Sequence, residues 1–145
     1  MIVELLTDPL LRHVLVTLWL LPCAIQDRRM RHVSNWLTVP LFIGAWPVAL
    51  LTGNFALTFA VFVGVYVATK LESRAGAADG KLMVGLAAFA PLALGIGVVL
   101  EIAVFAVLCW RKQRGGSVPG ALWLYLGALS AAIALITVHL CHRPA

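Results

Sequence analysis

Charge is scarce in this chain. Of its 145 residues only 12% are Asp, Glu, Lys or Arg, against 62% hydrophobic, and six acids face eleven Lys and Arg. With a mean hydropathy of +0.98, a water-soluble globule is excluded, because a domain this small lacks the volume to hide so many apolar side chains. The three cysteines, Cys23, Cys109 and Cys141, lack the spacing of a metal site or disulfide framework. They read as small apolar fillers, and Cys141 with His139 and His142 makes only a weak Cys/His grouping; neither metal nor cofactor is expected. No Lys or Arg precedes Arg12, while Glu4 and Asp8 stand there instead. The start therefore lacks the basic region of a cleaved signal peptide, and the first helix is expected to persist in the mature protein. The apolar runs are continuous instead of alternating, which argues against a β-barrel. No basic surface is interleaved with exposed aromatics, so the net charge of +5 reflects membrane orientation and anionic lipid, not nucleic acid.

What is present is a set of apolar runs cut by breakers. They predict an all-α, polytopic integral membrane protein forming a single domain over 1–145. Helices are expected at about Pro9–Gln26, Asn35–Leu51, Phe55–Leu71, Gly80–Pro91, Gly95–Trp110 and Pro119–Leu140. Basic residues give an independent check. Arg28, Arg29 and Arg31, then Lys70, Arg74 and Lys81, then Arg111, Lys112 and Arg114 hold nine of the eleven, and the positive-inside rule puts all three clusters in the cytoplasm. Two clusters on one side need an even number of crossings between them. One hairpin is thus expected to turn near Thr52, Gly53 and Asn54, and another near Pro91 to Gly97. A helix at each end gives about six transmembrane helices with both termini outside.

Two acids, Asp27 and Asp79, then fall on the same cytoplasmic face, each at the mouth of an apolar segment. A carboxylate at membrane depth is costly unless paired, hydrated or used. Two that approach within a few ångströms cannot both be charged, so one holds a proton while the other acts as base toward a shared water. The water attacks a peptide carbonyl, and the protonated partner supports the oxyanion and the leaving amine. The pair therefore suggests a membrane aspartyl protease. Simpler roles also fit: Asp79 as the N-cap of its helix, Asp27 as a headgroup-level partner of Arg28 or Arg31.

The stretch Asp27-Arg-Arg-Met-Arg-His, then Val33-Ser34-Asn35, Leu37 and Pro40, resembles the first-aspartate region of the type IV prepilin peptidases. Gly76-Ala77-Ala78-Asp79-Gly80-Lys81-Leu82 resembles their Gly-x-Gly-Asp-x-Lys-Leu motif, and Val118-Pro119-Gly120 the start of their last helix. The likeness runs from Asp27 onward. It implies a GxGD-type aspartic endopeptidase of the cytoplasmic (inner) membrane, its active site facing the cytoplasm, that cleaves the leader of prepilin or pseudopilin substrates just before their hydrophobic helix. Asp27 and Asp79 would be catalytic, with Gly76, Ala78, Gly80, Lys81, Asn35 and Pro119 in support. Three departures stand out. Ala78 replaces a glycine, removing backbone freedom before Asp79; Ser34 replaces a proline, leaving the second helix less rigidly started; and the paired Cys-x-x-Cys insert tied to pilin N-methylation is missing. The resemblance is thus to a minimal core that cleaves without methylating.

The remaining intramembrane acid, Glu101, lies about three turns from Arg111 at ~1.5 Å per residue, which predicts an outer position, too far to join the pair and facing Arg12 or His13, with a proton-handling role as the lesser alternative. Lys81 opposes the dipole of its own helix and so is expected to bind a headgroup phosphate or to steer Asp79 or the substrate. Gly44, Gly64, Gly85 and Gly127 read as close-packing positions, and Trp19, Trp36, Trp46, Trp110 and Trp123 as interface anchors or packing residues. Two readings from other classes compete: a non-catalytic membrane scaffold, and a small proton-coupled transport subunit. The latter calls for acids near the midplane or matched inverted halves, and no inverted repeat is visible.

Overall fold

The computed structural model describes residues 8–30, 32–71, 77–110 and 120–141. These form six α-helices: α1 Pro9–Met30, α2 Asn35–Thr52, α3 Phe55–Leu71, α4 Ala77–Phe89, α5 Pro91–Trp110 and α6 Gly120–Cys141. There is no strand among the described residues. Three helices, α1, α2 and α6, are long and apolar enough to cross a membrane, and α3 and α5 are apolar as well. The protein is a polytopic, all-helical membrane protein.

Local chemistry sets the helix ends. The Asp8 carboxylate accepts the N–H groups of Leu10 and Leu11 at 2.9 and 3.4 Å, with Pro9 as first helical residue; both features favour a start there. At the head of α2, the Ser34 hydroxyl accepts the Trp36 N–H, and the Ser34 N–H donates to the Gln26 side chain at 2.8 Å. Ser34 therefore starts α2 firmly, as a capped residue, in place of the loose start expected for the missing proline. Gly53 closes α2 in the left-handed conformation, φ 75°, which glycine adopts without a Cβ penalty. The α2–α3 turn falls at the expected position.

Other boundaries shift. Helix α1 runs on to Met30, so Asp27 lies inside its last turns and not beyond them. Helix α4 starts at Ala77 instead of Gly80 and stops at Phe89, with Ala90 as the break and Pro91 opening α5. The reversal therefore comes before the expected Pro91–Gly97 stretch. A proline fits the first turn of a helix, where its missing N–H costs nothing, and ends one that tries to continue through it. Asn54 fastens this end by donating from its side-chain amide to the Ala88 carbonyl at 3.3 Å, one of the carbonyls that the end of α4 leaves free.

Specific contacts give the helix directions. Lys81 meets Asn35, Gly85 meets Leu41 and Phe89 meets Gly44, so α4 runs parallel to α2. Val65 against Gly80 and Asn54 against Ala88 make α3 antiparallel to α4. Ala93 against Gly127 and Gly97 against Leu124 make α5 antiparallel to α6. Helix α6 packs between α1 and α5, and α4 packs against α2 and α3. One apolar core joins Val16, Leu20, Leu82, Leu86, Leu94 and Leu124, and a second, smaller one gathers Ala45, Ala49, Val84 and Ala88 under Phe42, Trp46 and Phe62. Trp46 is thus a packing residue, whereas Trp36 and Trp110 stand almost fully exposed.

The packing glycines divide into two groups. A Cβ on Gly127 would strike the backbone of Gly97 and the Ala93 carbonyl, whereas one on Gly64 meets nothing within 4 Å, so Gly64 is not a packing position. Gly85 approaches Leu41 closely, and Gly44 only at ordinary contact with Phe89. Gly127→Val is therefore expected to cost at least about 2 kcal/mol, because backbone cannot yield as a side chain can. Gly64→Val should be near neutral. Thermal unfolding in detergent separates them, and equal melting temperatures would refute the α5–α6 contact.

Candidate functional site

Four segments converge at one end of the bundle: the last turns of α1 and the starts of α2, α4 and α6. Asp27 lies on α1 among Leu20, Cys23 and Ala24, the buried stripe that faces α6. At 7% exposure it is the only Asp, Glu, Lys or Arg among the described residues to be nine-tenths buried. Its Oδ2 accepts the Ala121 N–H at 3.1 Å. That N–H is one of the donors the first turn of a helix leaves unpaired, and the positive end of the helix dipole favours a carboxylate there.

Asp79 arrives from the other side. It sits in the first turn of α4 with its carboxylate against Gly120: a Cβ on that glycine would lie 2.6 Å from Asp79 Oδ2 and 2.9 Å from Cγ. The two sequence-predicted aspartates are thus gathered on neighbouring residues, Gly120 and Ala121, of one helix start. As α4 begins at Ala77, Asp79 is a helical residue and not the N-cap. Ala78 is helical too and packs on the apolar core. Since no left-handed backbone is called for at this point, alanine in place of glycine carries no conformational cost.

Supporting residues fall around the pair. Lys81 Nζ donates to Asn35 Oδ1 at 2.9 Å, so these two join the starts of α4 and α2 to each other. Gly80 takes the side chain of Val65 where a Cβ would stand, which lets α3 lie close beside Asp79. Gly76 and Pro119 lie outside the described residues, as do Arg31, Arg74, Arg111, Lys112, Arg114, His142 and Arg143. Among the described residues no three His, Cys, Asp or Glu side chains gather as metal ligands, and Cys23 and Cys141 are free thiols.

Glu101 is a correction. Gly97, four residues before it, lies against Leu124, which sets Glu101 toward the start of α6, and among the described residues no ion pair joins it to Arg12 or His13, whose buried Nε, Nη1 and Nε2 atoms lack partners. The reason is depth. Helix α5 continues to Trp110, nine residues and so about 13 Å past Glu101, so counting turns from Arg111 measured the distance from the end of α5, not from the pair.

Gly120 and the Ala121 N–H were not singled out as site elements from the sequence. The available signal was a glycine directly after Pro119 at the start of an apolar run: there a missing side chain leaves room for a group from elsewhere, in this case the Asp79 carboxylate.

With this geometry, the comparisons with known proteins give one result. The family model described as the type IV leader peptidase family matches residues 14–111, which include Asp27, Asp79 and Glu101. The chain belongs to that family. No curated protein and no solved structure matches it.

Gly120→Ala is expected to retain helix content and membrane insertion, since it adds one methyl to an end of α6. It should displace Asp79, and leader cleavage should fall on the order of a hundredfold, the scale for a misplacement near 1 Å. Wild-type turnover in this variant would disprove the contact.

Proposed function

We propose that this member of the type IV leader peptidase family is an aspartic endopeptidase that removes the leader of prepilin-type substrates at the cytoplasmic face of the membrane, with Asp27 and Asp79 as its catalytic pair. The observation that carries this reading is that the two carboxylates rest on adjacent residues, Gly120 and Ala121, at the start of α6. One of them holds a proton and the other is ionised, because like charges this close resist double ionisation. The ionised group takes a proton from a water between them, and the water oxygen attacks the scissile carbonyl. The protonated group donates to the oxygen that gains charge, and the proton gained by the base passes to the departing amine.

The chain's own groups divide the work. Ala121 holds Asp27 through its N–H and so fixes which carboxylate oxygen faces the pair. Gly120 leaves the space into which Asp79 leans. The Lys81–Asn35 bond sets the start of α4 against α2, which makes Lys81 a positioning residue in this reading. The apolar setting strengthens each of these interactions relative to water.

Replacing Asp27 or Asp79 by Asn is expected to abolish cleavage of a synthetic prepilin by purified protein in detergent, with insertion and melting temperature preserved. The double variant should be no worse than either single one, since each group is needed for the same step. Lys81→Met should cause a partial loss. Retained cleavage in Asp79→Asn would falsify the mechanism. Orientation has its own check: a single cysteine at position 29 in a cysteine-free background should react with impermeant reagent only from the cytoplasmic side, and labelling from outside would reverse the topology.

A further inference from the structure

Glu101 is the only charged residue in α5, and an acid in such a helix with no ion pair among the described residues calls for an explanation. Its register is set by packing. Ala93 lies against Gly127 and Gly97 against Leu124 and the Trp123 carbonyl, so each turn along α5 steps about one turn back along α6. Glu101, four residues past Gly97, falls on the same face at the level of Gly120. That is the residue against which the Asp79 carboxylate rests.

Among the described residues, the groups around this point carry almost no compensating charge. From α1 comes Asp27, with Arg28 and Arg29 exposed at the helix end. Helix α2 has no ionisable residue, and its Asn35 takes the ammonium of Lys81 from α4. The Lys70 ammonium of α3 sits 5.7 Å from the centre of the Tyr66 ring. Helix α6 offers Tyr125 near its start and His139 at its far end. Three carboxyl groups thus fall at one level of the bundle, Asp27 buried and Asp79 and Glu101 half-buried, with no cation among the described residues bonded to any of them.

We propose that Glu101 is a third carboxyl group of the site, a positioning residue that acts through Asp79 by like-charge repulsion and holds the shared proton on the Asp27–Asp79 pair. The inference rests on the peptidase reading for its purpose but not for its geometry. Acids at one level of an apolar bundle resist ionising together, so each added negative charge makes loss of the pair's one proton harder. A pair that loses that proton has a base and no acid. Glu101 therefore extends the range of pH over which the pair keeps both functions.

The test uses Glu101→Gln, which keeps size and hydrogen bonding and removes the charge, and Glu101→Asp, which keeps the charge. Two measurements are made on full-length protein in detergent. One is the pH profile of kcat for a synthetic prepilin; the other is an infrared titration of the protonated-carboxyl band, read as the difference from Asp79→Asn. In Glu101→Gln, the alkaline limb of kcat and the infrared midpoint should both move to lower pH by roughly one unit, with KM unchanged. Glu101→Asp should stay close to wild type. An unmoved infrared midpoint in Glu101→Gln overturns the inference, even where melting temperature falls, because packing alone explains the latter. Should wild type leave several prepilins uncut while the midpoint still moves, the third carboxyl stands and the peptidase reading falls. Should wild type cleave and the midpoint stay fixed, the reverse holds.

Discussion

Everything at the functional end of this molecule depends on how one helix begins. The first turn of α6 presents an N–H that its own helix cannot use, and Asp27 takes it. One residue earlier, the absence of a side chain at Gly120 admits Asp79. A helix start thus supplies a hydrogen-bond donor and an empty volume side by side. Two acids that would repel each other in an apolar setting are held together by that combination, which neither of their own helices provides.

The surrounding packing protects this arrangement through small residues. Gly127 and Gly97 bring α6 and α5 into backbone contact, and Gly80 brings α3 up to the start of α4. In lipid there is little hydrophobic gain from pairing helices, so close backbone approach and a few polar ties do much of the joining. Asn54 to Ala88, Trp19 to Leu37 and Gln26 to Ser34 are ties of this kind, each linking segments that the apolar pattern leaves free to slide.

The helices were legible in the sequence because apolar runs and breakers act locally: Ser34, Gly53 and Pro91 each do what their backbone chemistry dictates. The pairing of Asp27 with Asp79 was legible as an expectation, since both acids sit at the mouths of apolar segments beside basic clusters. What escaped was depth and contact. The reversal was expected too late because α4 was read through Pro91, whereas a proline that opens α5 ends α4 just before it. Glu101 was misplaced for a related reason: distance along a helix does not say where the neighbouring helix begins. Gly64 and Gly127 look alike as letters, and only the neighbouring backbone distinguishes them.

The order of the chain adds a temporal meaning to the start of α6. The residues that hold the acids together come from the last of the six helices to be synthesised, whereas both acids precede it by some forty residues or more. While the ribosome is still making the first five helices, Asp27 and Asp79 have no common anchor, and a nascent or half-inserted chain carries two unassociated carboxylates. The arrangement of the two acids therefore waits for α6, and insertion of that helix decides when they are brought together.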